Sequence, residues 1–397
     1  MKIIDLKCAV IGGYTILRVC TDEGISGLGQ IEFYKPGYKP HVLYYRDLIL
    51  GLDPRDVERV MMTIRRFGSF KPWGSAVSAI EMALWDIAGK AAGVPVYRLL
   101  GGKVRDKVRV YNGGVRFPMQ GVAPEDYAEA MTKMKAAKEG FTIIKQPVGF
   151  HSQMVTGVPN FCLDGPRMGS KFQSRGAVSE KGLRHVIDCV KAMKDVLGDD
   201  VGLALDCGPG WMIPDALRLA KALEPLNIMW LEDLLTGDYT PYVLAEMYRE
   251  VTPHTTTPIH TGEQIYLRQN YKELIETKAV RVVGPDPCDV GGIAELKWVA
   301  ELADLNGVLI APHGTGNGLV GLAALVQVAA TLPQNYIAFE YPVARPEWWY
   351  EIVTGLPDPI VKDGFIEVWD RPGMGVEIIP EAALPYMDKE DQEFFTN

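Results

Sequence analysis

The fold is decided by residues 201–233, VGLALDCGPGWMIPDALRLAKALEPLNIMWLED, in which two short apolar runs flank a longer amphipathic segment. The runs VGLALD (201–206) and IMWLED (228–233) have the length of buried strands, and the segment between them has the spacing of a helix. Each run carries an acidic residue at its end, Asp206 in the first and Glu232 in the second. The stretch therefore predicts a strand–helix–strand unit with parallel strands.

The same alternation extends in both directions from this unit. Beyond about residue 107, eight short runs rich in β-branched residues alternate with amphipathic segments: VRVYNGG (108–114), FTIIKQ (141–146), VGLALD (201–206), IMWLED (228–233), PIHTGE (258–263), VRVVGPD (280–286), VLIAPH (308–313) and YIAFE (336–340). Eight strands alternating with helices predict a closed parallel barrel, whose reactive groups lie at the carboxyl ends of the strands. Six of these runs end on or beside an acidic residue or a histidine: Asp206, Glu232, Glu263, Asp286, His313 and Glu340.

The residues ahead of the barrel follow a different pattern. Apolar runs on either side of Gly12-Gly13 predict an antiparallel hairpin within residues 3–31. From Ser75, apolar residues recur at helical spacing until Gly93-Val-Pro95 ends the run. Strands followed by a long helix predict a separate α+β unit.

Composition excludes several classes of partner. The formal net charge of −9 argues against a nucleic acid or an anionic membrane, because both attract a basic face. The longest apolar stretch, Leu319–Leu332, is too short to cross a bilayer and predicts a packed helix. Charged residues near the N-terminus argue against an export signal. The six cysteines lie far apart without metal-binding spacing, which favours reduced thiols and a cytoplasmic location.

Asp206, Glu232 and Glu263 follow three successive predicted strands, so their carboxylates are expected at one edge of the barrel. Three close like charges repel, and a hard divalent cation removes that repulsion. An all-oxygen set with open positions suits Mg²⁺ better than zinc. The alternative is that each acid caps a helix or pairs with a basic residue. Three acids on successive strands favour the metal, and we expect one Mg²⁺ per subunit, with Mn²⁺ able to replace it.

His313 ends the strand that follows the strand of Asp286, so a hydrogen bond between the two side chains is expected. Such a carboxylate orients the imidazole, fixes its tautomer and raises its basicity. Glu340, after the last strand, can donate a hydrogen bond to an enolate oxygen if its pocket keeps it protonated.

The sequence resembles the enolase superfamily and, within it, the mandelate racemase branch, over nearly the whole chain. The resemblance rests on SAIEMALWDIAGKAAGVPVYRLLGG (78–102), on the three acids in LALD, WLED and TGE, and on GPDPCDVGG (284–292) and APHG (311–314). It implies a modified (β/α)₇β TIM-type barrel over residues 119–361. It also implies an α+β capping domain over residues 1–118, completed by the tail 362–397.

The resemblance assigns roles to the residues singled out above. Asp206, Glu232 and Glu263 match metal ligands, Asp286 and His313 match a catalytic dyad, and Glu340 matches the acid that faces the enediolate. The reaction implied is Mg²⁺-assisted abstraction of the proton α to a carboxylate. The partners implied are a small-molecule acid substrate and further copies of the chain, from a dimer to an octamer.

One departure from the racemase pattern narrows the reaction. Where that pattern has Lys-x-Lys after the second barrel strand, this chain has Lys145-Gln146-Pro147. Proline offers no titratable group, so the second face of the substrate lacks its usual base. Lys145 remains and can contact the substrate carboxylate or the metal-bound oxygens. The Lys-x-Pro arrangement, the dyad and Thr-Gly-Glu are similar to those of L-rhamnonate dehydratases, but the loop that follows differs.

These features predict a lyase, a dehydratase that converts an aldonate or aldarate to a 2-keto-3-deoxy acid. The alternatives are a racemase, epimerase or cycloisomerase, and more remotely a barrel without catalysis. The segment 147–179 interrupts the alternation and is interpreted as a lid. The imidazolium of His313 can protonate the leaving 3-hydroxyl, and His151 on the segment is the alternative acid. Tyr34 of the capping domain is a candidate substrate contact.

Overall fold

The computed structural model describes residues 1–32, 36–68, 73–164, 175–235, 244–314, 318–342 and 348–396. Its first unit is an antiparallel sheet of three strands in sequence order, β1 (Ile3–Ile11), β2 (Tyr14–Thr21) and β3 (Ser26–Gln30). The β1–β2 turn uses Gly12 and Gly13, whose φ angles of 57° and 88° favour glycine. The hairpin predicted from the apolar runs is therefore present.

Helices follow this sheet in the chain, and several of them pack against it. They are α1 (Lys39–Tyr44), α2 (Arg46–Ile49), α3 (Val57–Ile64), α4 (Trp73–Ala92) and α5 (Val96–Leu99). Helix α4 lies directly on β3, because Gly27 and Gly29 offer no side chain there. A Cβ atom on Gly29 would lie 1.8 Å from the carbonyl oxygen of Ala79. Nearly every residue of α4 from Gly74 to Gly89 is buried, since the helix packs on the sheet and also contacts the barrel.

The second unit is a curled parallel sheet. Its strands are β4 (Lys107–Asn112), β5 (Ile143–Pro147), β6 (Gly202–Asp206), β7 (Trp230–Glu232), β8 (Ile259–Thr261), β9 (Val282–Val283), β10 (Leu309–Ile310) and β11 (Phe339–Tyr341). Neighbours follow the order β10-β9-β8-β7-β6-β5-β4-β11. A parallel bridge between Ile310 and Tyr336 joins the segment before β11 to β10, which closes the ring. All eight predicted strands are present, and the predicted barrel with its capping unit is confirmed.

Helices connect the barrel strands and form its outer layer. The described ones are α6 (Pro124–Lys135), α7 (Met154–Gly157), α8 (Glu180–Leu197), α9 (Ile213–Leu223), α10 (Ala245–Arg249), α11 (Arg268–Glu276), α12 (Ile293–Leu305) and α13 (Leu319–Ala329). Every residue of α13 is buried, as the apolar stretch from Leu319 predicted. In the part of the chain that the structure describes, no helix combines the length and apolarity needed to cross a membrane.

The C-terminal segment returns to both units. It contains α14 (Trp349–Ile352), β12 (Val353–Thr354), β13 (Phe365–Glu367), β14 (Glu377–Ile378) and α15 (Pro380–Ala383). Strand β13 pairs antiparallel with β4 of the barrel. Farther on, the carboxylate of Asp391 accepts a hydrogen bond from the backbone of Val10 in β1. The limits 1–118, 119–361 and 362–397 stay a prediction, although β4, within the first range, belongs to the barrel sheet.

The barrel interior is filled below the carboxyl ends of the strands. Tyr111 and Trp230 pack edge to face with ring centroids 5.3 Å apart. They form a buried apolar cluster with side chains from other strands, among them Ile143 and Ala204. Such a layer is a solid floor and not a pore. Polar side chains at the strand ends therefore lie above an apolar base.

Candidate active site

The three predicted metal ligands lie at neighbouring strand ends. Asp206 and Glu232 are the last residues of β6 and β7, and their Cα atoms are register partners. Glu263 follows β8 by two residues. Asp206 and Glu232 are buried. The backbone thus brings the three residues to one edge of the barrel, as the sequence predicted.

Lys145 lies among these acids. Its Nζ atom is 2.6 Å from Glu232 Oε1, 3.0 Å from Glu340 Oε1 and 3.7 Å from Asp206 Oδ2. Burial alone would lower the pKa of Lys145, but the carboxylates of Glu232 and Glu340 outweigh it and hold that pKa well above its usual value. Lys145 is therefore a permanent cation inside the group of Asp206, Glu232, Glu263 and Glu340, which we call the acidic cluster.

Glu232 is buried, and each of its two carboxylate oxygens accepts a hydrogen bond. Trp230 Nε1 donates to its Oε2 at 2.8 Å, and Lys145 donates to its Oε1. Burial raises the pKa of Glu232 to about 8, and the neighbouring acids Asp206 and Glu340 contribute in the same direction, against the opposite effect of Lys145. The excess of negative charge at this position favours a further cation.

The predicted hydrogen bond between His313 and Asp286 is confirmed. His313 Nδ1 lies 2.6 Å from Asp286 Oδ2, and the other carboxylate oxygen accepts the backbone N–H of Cys288 at 2.7 Å. Asp286 is fully buried. Because Asp286 acts only as an acceptor, His313 carries a proton on Nδ1 and directs Nε2 into the acidic cluster.

The Nε2 atom of His313 faces two carboxylates. It lies 3.3 Å from Glu263 Oε2 and 3.5 Å from Glu340 Oε2. Burial opposes a charged ring, but Glu263, Glu340 and Asp286 outweigh it and place the pKa of His313 well above its usual value. A base must be neutral to accept a proton. A cation that neutralises the charge of Glu263 would lower the pKa of His313 and so favour the neutral ring.

Glu340 is held at the closing strand by tight packing. The hydroxyl of Tyr111 donates to its Oε2 at 3.3 Å. A Cβ atom on Gly113 would lie 1.8 Å from Oε1 and 2.2 Å from Cγ. Glycine at position 113 therefore leaves the space that the Glu340 side chain fills.

We expect Gly113→Ala to lower kcat/KM by about tenfold or more and the free energy of unfolding by about 1–3 kcal/mol, the usual cost of overpacking. The added methyl group displaces the Glu340 carboxylate from Lys145 and His313. Steady-state kinetics and urea unfolding measure the two effects. Gly37→Ala is the matched control, because a Cβ atom there meets nothing within 4 Å. Equal behaviour of the two variants would contradict this packing argument.

The donor set fits a hard divalent cation, since it consists of carboxylates from three neighbouring strand ends. The side chains are nevertheless paired with groups of the chain. Asp206 and Glu232 share Lys145, while Glu263 faces His313 and accepts a hydrogen bond from Gln264 at 3.0 Å. Among the described residues, no three histidine, cysteine or acidic side chains are grouped closely enough to hold one ion. Binding of one metal ion by Asp206, Glu232 and Glu263 together therefore stays a prediction.

The structure describes one of the two other candidate residues, His151, and not Tyr34. His151 lies on a short 3₁₀ helix (Gly149–His151) after β5, and its Nδ1 is 3.4 Å from Asp206 Oδ1. The fold thus brings His151 to the acidic cluster. Tyr34 lies outside the described residues, as does the part of the predicted lid from 165 to 174.

Two charged or titratable neighbours of the site were missed from the sequence. Arg116, in the loop after β4, donates through Nη1 to the carbonyl oxygen of Lys145 at 2.5 Å. His260, in β8, stacks on Trp230 with ring centroids 5.3 Å apart. Burial lowers the pKa of His260 to about 3, so its ring is neutral. Of the two residues, only Arg116 had a sequence signal, because it lies just past the end of a predicted strand.

Comparisons with known proteins give a consistent result. The model of the mandelate racemase / muconate lactonizing enzyme N-terminal domain matches residues 9–101, and the enolase C-terminal domain-like model matches residues 126–382. A D-xylonate dehydratase of Haloferax volcanii is 30% identical over 97% of this chain and 89% of its own length.

Two further proteins extend this comparison. A D-galactonate dehydratase of Variovorax paradoxus is 31% identical over 96% of this chain and 93% of its own length. The crystal structure of a mandelate racemase/muconate lactonizing enzyme-like protein from Rubrobacter xylanophilus superposes with a TM-score of 0.80. It is 32% identical and covers 98% of both chains.

Proposed function

Because the chain belongs to the mandelate racemase branch of the enolase superfamily, we propose that it is a Mg²⁺-dependent sugar-acid dehydratase. Dehydratases are hydro-lyases, and the relatives indicate that the chain is a lyase. The observation that carries the proposal is the His313–Asp286 pair, whose Nε2 atom faces the acidic cluster. Membership of this family implies a divalent metal ion, and the carboxylate donors favour Mg²⁺.

Asp206, Glu232 and Glu263 are the residues that would hold the ion. When bound, a divalent ion acts as a Lewis acid that lowers the energy of negative charge developing on the substrate carboxylate. Lys145 contributes a second positive charge from within the chain, 3.0 Å from Glu340. In its protonated form, the buried Glu340 carboxyl, close to Tyr111, would donate a hydrogen bond to the same developing charge.

In the proposed reaction, His313 Nε2 accepts the proton from C2 of the sugar acid. The electron pair of the C2–H bond moves towards the substrate carboxylate and then forms the C2=C3 double bond as the C3–O bond breaks. The leaving hydroxyl takes a proton from the imidazolium form of His151 and departs as water, and the resulting enol tautomerises to a 2-keto-3-deoxy acid. Asp286 holds the imidazole in one tautomer throughout.

Elimination is favoured over epimerisation by the residue at position 147. Pro147 pairs with Asp206 at the end of β5, where the racemase pattern has its second lysine. Epimerisation needs a second acid near the site. His151 is the candidate for that acid, because its Nδ1 lies 3.4 Å from Asp206 Oδ1. We assign it instead to protonation of the leaving group. Deuterium from solvent in recovered substrate, without a 2-keto product, would favour epimerisation.

A library of aldonic and aldaric acids tests the proposed activity. Purified protein with MgCl₂ is expected to convert at least one five- or six-carbon acid to a 2-keto acid, detected as its semicarbazone. The relatives act on D-xylonate and D-galactonate according to their names, so these two acids are tested first. No 2-keto acid from any member would refute the dehydratase proposal.

Metal binding provides a test that does not depend on the substrate. We expect the wild-type protein to bind one Mg²⁺ per subunit in a calorimetric titration. Glu232→Gln is expected to weaken binding by at least about tenfold, because it removes a charged ligand. Glu129→Gln on the exposed face of α6 is the control. Equal titration curves for all three proteins would remove Glu232 from the metal site.

The state of the cysteines bears on the compartment in which the protein works. All six cysteines are buried thiols, which suits a reducing cytoplasm. We propose a small organic acid as the substrate and a homo-oligomer as the assembly, which light scattering on the purified protein measures.

A further inference from the structure

A cavity of about 220 Å³ lies beside the acidic cluster, on the outer side of the end of β5. One wall is formed by Phe117 and Tyr127, from the loop after β4 and from α6. The opposite wall is formed by Gln146, His151 and Ser152. Apart from His151, no residue that lines this cavity has a catalytic role described above.

Gln146 lines the cavity because side chains alternate along a strand. Ile143 of β5 packs in the barrel interior and Lys145 faces the acidic cluster, so Gln146, between Lys145 and Pro147, points to the other side. The side chain is 6% exposed. Among the described residues, its Oε1 atom has no hydrogen-bond partner.

A buried acceptor without a hydrogen-bond partner is unusual, because buried polar groups in proteins almost always have a partner. The neighbouring hydroxyls of the wall are already engaged. Ser152 Oγ donates to the carbonyl oxygen of Gly149 at 2.9 Å and is hydrogen-bonded to Tyr127. Gln146 therefore presents an acceptor to the cavity that the wall does not satisfy.

The cavity borders the acidic cluster directly. His151 lines it, and the Nδ1 atom of this residue is 3.4 Å from Asp206 Oδ1. Pro147 also lines it and is the register partner of Asp206. A molecule whose carboxylate lies at the acidic cluster can thus extend around the end of β5 into the cavity.

We propose that this cavity is a subsite for the distal hydroxyl groups of the sugar acid, with Gln146 Oε1 as the acceptor that selects for them. The inference rests on the proposed function. Pockets that enclose a whole drug-sized ligand have volumes of about 300–1,000 Å³. At about 220 Å³ this cavity suits part of a small ligand, the chain beyond C3. Polar groups on the wall fit a polyol and not an alkyl chain.

The test compares acids of increasing length in a variant that keeps the shape of Gln146 and loses its polar end. In Gln146→Met, KM for D-xylonate and D-galactonate is expected to rise by about tenfold. The three-carbon acid D-glycerate has no carbon beyond C3 and serves as a competitive inhibitor. Its inhibition constant is expected to change by less than about twofold. Gln146→Asn, which retains the amide, recovers part of the lost affinity.

A structural role for Gln146 predicts a different pattern. It would lower the melting temperature of Gln146→Met and weaken all acids by the same factor, and that result would overturn the proposal. The matched control is Tyr45→Phe, which removes a different buried polar atom, a hydroxyl oxygen of the capping unit without a partner among the described residues. This variant is expected to leave KM unchanged for every acid.

The outcomes separate this inference from the proposed function. If no acid is turned over, the dehydratase proposal fails, and the subsite is then tested by the thermal shift that each acid produces with MgCl₂. Length-dependent shifts that Gln146→Met abolishes support the subsite. Unchanged KM values and unchanged shifts in Gln146→Met would show that the cavity holds only water.

Discussion

Replacing His313 by asparagine is expected to lower kcat for the sugar acid by about 10²- to 10⁴-fold, the range attributed to a well-placed general base. The amide keeps a donor towards Asp286 but has no atom that can accept a proton at the position of Nε2. KM is expected to change little, because the ring contacts the reacting proton more than the ground-state substrate. Steady-state formation of 2-keto acid measures the effect.

Two comparisons make the His313 experiment specific. Mg²⁺ binding by His313→Asn should match that of the wild type, which separates loss of the base from loss of the metal. Asp286→Asn should also lower kcat, since an amide can turn the imidazole into the wrong tautomer. Retention of kcat within tenfold of the wild type in His313→Asn would assign the base to another residue.

Replacing Lys145 by methionine is expected to lower the free energy of unfolding by about 3–5 kcal/mol, the usual cost of removing one partner from a buried ion pair. The substitution leaves Glu232 and Glu340 buried without the ammonium that lies 2.6 and 3.0 Å from them. MgCl₂ is expected to stabilise this variant more than the wild type, because a bound cation restores positive charge. Urea unfolding with and without MgCl₂ measures both effects.

An exposed ion pair of the same length gives the control for Lys145. Lys133 Nζ lies 2.6 Å from Glu129 Oε1 on the surface of α6, where both side chains are exposed. Lys133→Met should change stability by about 0–1 kcal/mol, since solvent screens such pairs. A similar small loss in Lys145→Met would show that the acidic cluster does not depend on this cation.

The alternation of strands and helices could be predicted because it is encoded locally. A buried parallel strand is a short apolar run, and a surface helix repeats its apolar residues every three to four positions. The eight runs from VRVYNGG (108–114) to YIAFE (336–340) therefore identify the barrel strands. Their exact ends were less predictable, since VLIAPH (308–313) gives a strand of two residues, Leu309–Ile310. Strand length depends on the partner strands.

Side-chain pairing within the site could not be predicted in the same way. The acids of LALD and WLED were expected to bind one ion or, alternatively, to pair with a basic residue, and the sequence did not identify that residue as Lys145, 61 and 87 residues away along the chain. The reason is electrostatic: a buried carboxylate pairs with the nearest cation in space, and that distance is absent from the sequence.

The sequence by itself determined which residues lie at or shortly after the carboxyl ends of the barrel strands, and hence that Asp206, Glu232, Glu263 and His313 lie at one edge. Strand direction and side-chain alternation are local properties, so the order of residues is sufficient for that conclusion. Only the tertiary structure decided that Arg116 and His151 lie beside these residues and that Gln146 faces a cavity. These relations depend on how loops pack against one another, and packing is set by contacts between residues far apart in the chain.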